Sequence, residues 1–227
     1  MPIRTLPGLT AILLSGLVLA VGNGPVRAMT DKWPGVRVID GDTLEIDGRA
    51  VQLFGIDTPE LSQSCLHDGE AWPCGLDAAY SLHKVITLAD RRPACERQEG
   101  DATACFADER NLSFILLDQG YAMALDDAPR EYQEKERQAR FGNLGIWRGS
   151  FEPPAEWRRK HDDGRTDAGP CVVRGRVKDG NKVYLVPTDS QYDGLPEDAA
   201  GDGSRRFCSD EAARAAGWRR PSQPPAR

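Results

Sequence analysis

Residues 35–60 read GVRVIDGDTLEIDGRAVQLFGIDTPE. Val36 and Val38 alternate with Gly35 and Arg37, and Leu44 and Ile46 alternate with Thr43 and Glu45. Asp47-Gly48 is a strong signal for a two-residue hairpin turn, because both positions of such a turn need φ above zero. Val51, Leu53, Gly55 and Asp57 then alternate with Gln52, Phe54 and Ile56. A period of two, punctuated in this way, predicts three short antiparallel strands in succession.

Two acidic segments punctuate these strands. Asp40-Gly41-Asp42-Thr43 falls at one turn, and Asp57-Thr58-Pro59-Glu60 at the end of a later strand. Antiparallel neighbours bring such ends together. Carboxylate oxygens and a backbone carbonyl gathered from two loops suit a hard cation such as Ca²⁺. Pro59 restricts Thr58 to an extended shape, which helps fix its carbonyl. Asp-Gly and Asp-Thr-Pro are also ordinary turn starters, so the same residues serve a purely structural reading.

Further along, Leu76, Ala79, Leu82 and Ile86 recur at helical spacing within residues 75–89. Residues 93–107 have the pattern of a second hairpin with Gly100-Asp101 near its tip. Residues 112–119 read as a short helix, with Asn111 to cap its start and Gly120 to end it. Residues 129–140 read as a more polar helix: Pro129 stands early, where its missing N–H matters least, and Gly142 lies beyond the end. The stretch 152–170 is polar, broken by Pro and Gly, and reads as a linker. In it Trp157 precedes Arg158-Arg159-Lys160; the aromatic is expected to cover an apolar surface and the charges to be solvated. A small module follows at 171–220, with a strand pair, an acidic Gly-rich loop and a helix over 209–216, and then a disordered tail at 221–227.

At this point the residues resemble a family. Ile39-Asp40-Gly41-Asp42-Thr43 and Ile56-Asp57-Thr58-Pro59-Glu60 look like the two signature segments of the staphylococcal nuclease (thermonuclease) family. The likeness runs on through LSFILLDQGYA at 112–122 and ERQARFGNLGIW at 136–147. The resemblance implies an α+β fold: a five-stranded OB-type β-barrel with three helices over residues 33–151, followed by the small C-terminal strand-helix module. It also implies metal-dependent phosphodiester hydrolysis of nucleic acid. Ca²⁺ would be held by Asp42, Asp57 and the carbonyl of Thr58, and Glu60 would align or activate the attacking water as the catalytic residue. Asp40 is an outer helper in that scheme.

The family also grips the scissile phosphate with two arginines, and here the pattern breaks. The first position is held by Gln52. The second falls on Gly100, or on Asp101 with a one-residue gap. A cationic finger on a transferring phosphoryl group is worth on the order of 10³–10⁵ in rate, and a neutral donor such as Gln52 is roughly half as strong as a charged one. The expectation is an acidic pocket with no cationic grip left in it, and therefore weak or lost nuclease activity. The alternative is a non-catalytic accessory role. The chain also resembles nuclease-fold proteins encoded among rhizobial succinoglycan (exopolysaccharide) biosynthesis genes. OB faces accept oligosaccharides as well as oligonucleotides, so the partner is nucleic acid or an extracellular polysaccharide. The C-terminal module, marked by Cys171-Val172-Val173-Arg174-Gly175 and Phe207-Cys208-Ser209, resembles a short piece that follows nuclease-like domains in some proteobacterial proteins. It reads equally as an interaction surface or as a stabilising cap.

Charge and export signals set the remaining bounds. The 227-residue chain carries 29 Lys+Arg against 35 Asp+Glu, a formal net charge of −6. Such a balance argues against coating nucleic acid through bulk positive charge. Residues 1–28 combine Arg4, an apolar run from Gly8 to Val21 and small residues around Val26-Arg27-Ala28. That is the three-part pattern of a secretory signal peptide cleaved after Ala28; the apolar run is shorter than the roughly 20 residues of a spanning helix. The expected product is a periplasmic or secreted monomer without a membrane anchor. All six cysteines lie beyond the leader. An even count in an exported chain favours disulfides. Of the 15 possible pairings, spacing suggests sequence neighbours: Cys65–Cys74, Cys95–Cys105 and Cys171–Cys208.

Overall fold

A computed structural model describes residues 32–98, 103–161, 171–192 and 203–221. The expected leader, the Gly100-Asp101 hairpin tip, the Gly-rich loop at 193–202 and the tail from residue 222 lie outside the described residues.

The opening strands form as the alternation predicts. β1 (Val36–Val38), β2 (Thr43–Ile46) and β3 (Arg49–Gln52) make an antiparallel sheet in that order. Ile46 faces Arg49 across the Asp47-Gly48 turn, and both turn residues have positive φ, 51° and 80°. The third predicted strand is broken, however. The Leu53 N–H still donates to the Asp42 carbonyl at 2.7 Å, but beyond it the chain leaves the sheet, and β4 (Ile56–Asp57) pairs instead with β10 (Met123–Ala124). Leu53 bridges in parallel to Thr103, which links the first sheet to the hairpin of β7 (Ala94–Arg97) and β8 (Thr103–Ala107), extended by β9 (Arg110–Asn111).

Around these sheets stand α1 (Cys74–Leu88), α2 (Leu112–Asp118) and α3 (Arg130–Phe141). The α2 boundaries follow the capping chemistry: the Phe114 N–H donates to Asn111 Oδ1 at 3.3 Å, and Gly120 takes φ 74° just past the end. A hairpin absent from the sequence reading, β5 (Cys65–His67) with β6 (Glu70–Trp72), lies between β4 and α1 and is tied down by the Cys65–Cys74 disulfide. Trp147 packs beside Phe151, Ile146 and that disulfide, with the Arg140 guanidinium 4.1 Å from its ring. Tyr132 is buried edge-on to Phe54 and Phe114.

The stretch read as a linker starts with a helix, α4 (Pro154–His161). The C-terminal module has β11 (Val173–Lys178) at the centre of a sheet between β12 (Asn181–Leu185) and β13 (Arg205–Phe207), with α5 (Asp210–Ala215) capped by Ser209. Its apolar residues Val173, Tyr184, Val186, Phe207 and Trp218 are continuous with the core formed by Val36, Val38, Leu44, Leu82 and Leu116. The Thr188 hydroxyl donates to the Val38 carbonyl at 2.6 Å. The module is thus joined to the first sheet through both core and backbone. The architecture is a mixed α+β fold of several small sheets with helices around them. Among the described residues no helix is long and apolar enough to cross a membrane.

The three disulfides are Cys65–Cys74, Cys95–Cys105 and Cys171–Cys208, the sequence neighbours in each case. They are consistent with an oxidising extracellular or periplasmic setting.

Candidate functional site: an acidic pocket with an internal guanidinium

The two acidic segments meet. Asp40, Asp42, Asp57, Thr58 and Glu60 are all buried. The turn between β1 and β2 is shaped by Asp40, whose Oδ1 accepts from the backbone N–H of Asp42 at 3.0 Å and of Thr43 at 2.7 Å. This local bonding turns the chain so that Asp42 points across to the second segment. Its Oδ2 accepts from the Thr58 N–H at 2.8 Å and the Thr58 hydroxyl at 3.1 Å, and its Oδ1 from the Thr43 hydroxyl at 3.0 Å. Close approach of the segments depends on Gly41: a Cβ there would lie 2.5 Å from Thr58 Oγ1 and 2.9 Å from the Ala78 Cβ. Gly75 does the same for the start of α1, where a Cβ would fall 1.7 Å from the Glu60 carbonyl oxygen.

Burial, with the neighbouring negative Asp57 as second cause, pushes the Asp42 carboxyl up to about 6 from its ordinary 3.8; the Thr58 N–H opposes this. Desolvation penalises the charged form and a like charge adds to it.

Asp57 and Glu60 are differently placed. The Arg158 guanidinium grips Asp57 with both ends: Nη1 donates to Oδ1 at 2.8 Å and Nη2 to Oδ2 at 3.0 Å. Nη1 also donates to Glu60 Oε1 at 2.7 Å. This fork-to-carboxylate geometry is the strong, charge-assisted kind. Hydrogen bonding to Asp57, and after the opposing cost of burial to Glu60, raises the Arg158 pKa above its ordinary value.

Arg158 corrects the expectation of a pocket without a cationic group. The sequence placed it among solvated linker charges. Arg159 and Lys160 do stay exposed, but Arg158 turns inward. The cause is its neighbour. Trp157 is buried against the Cys171–Cys208 disulfide, as the expectation of an aromatic covering apolar surface requires, and its carbonyl accepts the His161 ring at 2.7 Å when Nδ1 is protonated. With Trp157 pinned on one side, the next residue faces the acidic segment. The flanks of α4 are tied to the same loop. Gln63, fully buried, receives the Glu60 N–H at Oε1 (3.2 Å) and donates from Nε2 to the Glu152 carbonyl (2.6 Å). The Val172 N–H donates to the Ser62 hydroxyl at 3.2 Å.

The donor set does not fit a divalent cation in this arrangement. Both Asp57 oxygens and one of Glu60 are spent on Arg158, and Asp42 is spent on Thr43 and Thr58. Among the described residues no group of three His, Cys, Asp or Glu side chains converges as a metal-ligand set. Gln52 is exposed at the end of β3, opposite Thr43.

No family model matches the chain. It is similar to the succinoglycan biosynthesis protein ExoI of Rhizobium meliloti (strain 1021), with 36% identity over 123 residues, 51% of this chain and 64% of the relative. The match spans less than two thirds of that relative's length and links the chain to a protein of succinoglycan biosynthesis.

Proposed function

We propose that this chain is an exported accessory protein of exopolysaccharide production, built on an OB-type barrel of the nuclease kind, in which Arg158 occupies the place a cation would take. The observation that carries the reading is the Arg158 fork on Asp57 with its third bond to Glu60. A carboxylate bonded at both oxygens to a guanidinium has little left to offer a metal, and a Glu60 neutralised by the same group is a poor base. Support for the barrel comes from the Leu53–Thr103 bridge and the β4–β10 pairing, which connect sheets around one core. Support for the polysaccharide setting comes from the similarity to a succinoglycan biosynthesis protein. The role is tested by complementation of a deletion strain in the organism of origin. Glu60→Gln is expected to restore polymer yield as well as the wild-type gene does; failure of Glu60→Gln alone to restore it would favour a hydrolytic role.

The same guanidinium supports one second reading. Arg158 stands where it reaches both Asp57 and Glu60, so it could instead serve as the phosphate-gripping arginine that Gln52 no longer supplies. The two readings differ in sign. If Arg158 plugs the pocket, Arg158→Ala raises Ca²⁺-dependent cleavage of denatured DNA from a very low base. If Arg158 grips phosphate, the same change abolishes it.

A further inference from the structure

A cleft of about 970 Å³ opens between the first sheet and the C-terminal module, away from the acidic pocket. One wall comes from Arg37, Glu45 and their neighbours on β1 and β2. The other comes from Tyr184, Asp210 and the segment Trp218–Pro221. Ile39, Val183 and Trp218 supply apolar surface. The polar groups are held rigidly. Arg37 Nε donates to Glu45 Oε1 at 3.0 Å, the Tyr184 hydroxyl bonds Asp210, and Arg220 Nη2 bonds Asp189.

Arg220 is the telling residue. Its side chain is 4% exposed, yet Nε and Nη1 have no hydrogen-bond partner among the described residues; Glu45 Oε2 lies 3.9 Å from Nε. Buried guanidinium donors left unspent call for an acceptor. The charge around them says which kind. Five cationic side chains and four carboxylates line the cleft; Arg37–Glu45 and Arg214–Asp210 are matched with each other, and Arg220 is paired with Asp189 behind the lining. Polyanions need a surplus of positive charge to displace their counterions, which this cleft lacks. A near-neutral concave surface with fixed donors, fixed acceptors and an apolar patch suits an uncharged ligand rich in hydroxyls.

The geometry points to a saccharide-binding site in this cleft, taking a few residues of a neutral glycan whose hydroxyl oxygens accept from Arg220. The inference rests on the exopolysaccharide reading for its choice of ligand class, but it names a site separate from the acidic pocket. It is tested with the purified, oxidised chain by titration calorimetry and saturation-transfer NMR, using cellohexaose and laminarihexaose as neutral probes and a short oligothymidylate as the anionic one. The expected result is saturable binding of at least one neutral hexasaccharide. That binding weakens at least ten-fold in Arg220→Lys and in the rim variant Arg214→Ala, both checked for folding by circular dichroism, and it is unchanged in Arg158→Ala. Oligothymidylate is expected not to compete. Saccharide binding lost in Glu60→Gln or Arg158→Ala, but kept in Arg220→Lys and Arg214→Ala, overturns the cleft and leaves the exopolysaccharide reading standing. Absence of binding to either hexasaccharide overturns the cleft, and oligothymidylate binding in its place overturns both.

Discussion

Arg158 and Asp57, 101 residues apart in the chain, are joined by two parallel hydrogen bonds of 2.8 and 3.0 Å. The pair closes an acidic pocket with a cation that the chain itself provides. It also ties α4 to the acidic segment that follows β4.

The first consequence concerns stability. Removing Arg158 takes three charge-assisted hydrogen bonds from two buried carboxylates. Hydrogen bonds to charged groups are each worth about 1.5–3 kcal/mol net, and Arg158 is partly exposed, so Arg158→Ala is expected to cost about 1–3 kcal/mol in chelator-treated protein. Denaturant unfolding measures it. Added Ca²⁺ should recover much of that loss in the variant and do little for the wild type, since a ligand bound only by the folded state stabilises it.

Asp42 sets a pH dependence. Its folded pKa of about 6 lies above the ordinary 3.8, so the folded chain holds this proton more tightly than the unfolded one. The resulting stability is fully present below pH 3.8 and is lost as pH rises through 6. A shift of this size corresponds to about 3 kcal/mol. With chelator present, Asp42→Asn should flatten the stability profile between pH 4 and pH 7 relative to wild type, as read from urea midpoints across that range.

The Cys171–Cys208 bridge should act on the pocket from a distance. It backs Trp157, the residue directly before Arg158 on α4. Replacing both cysteines with serine is expected to cost about 3–4 kcal/mol from the loop that the bridge closes. It should also loosen the Arg158 fork, so that Ca²⁺ binds more tightly than in wild type. Truncation of Trp157 to alanine should shift Ca²⁺ binding in the same direction while the disulfide stays intact.

Gln63 couples the two sides of the site through one amide. Gln63→Ala removes the hydrogen bonds to the buried Glu60 N–H and the Glu152 carbonyl, which should cost about 1–3 kcal/mol. Hydrogen exchange at the Glu60 amide should rise in that variant, and exchange across α4 should rise with it.

Much of this fold can be read along the chain because it is encoded locally. The Asp47-Gly48 turn, the Asn111 cap, the Gly120 stop and the pairing of near-neighbour cysteines each depend on a few adjacent residues. The meeting of the two acidic segments was expected from neighbouring strands, but β4, which carries Asp57, pairs with β10 and not with the first sheet, and the contact is made by Asp42 on Thr58. Three features were not legible. The β5–β6 hairpin lacks alternation of apolar residues and is held by a disulfide. The break after Leu53 is set by pairing with β10, far along the chain. Arg158 lies on a short helix in a run of charges, and what turns it inward is the packing of Trp157 on a disulfide formed by residues further on. The charges beside it, Arg159 and Lys160, give no local sign that one of the three differs.

The direct test of the internal cation is calorimetric titration of Ca²⁺ into wild type and Arg158→Ala at pH 7.5, where Asp42 is ionised. Binding at least ten-fold tighter in the variant is the predicted result. Equal or weaker binding after loss of the guanidinium would contradict the account.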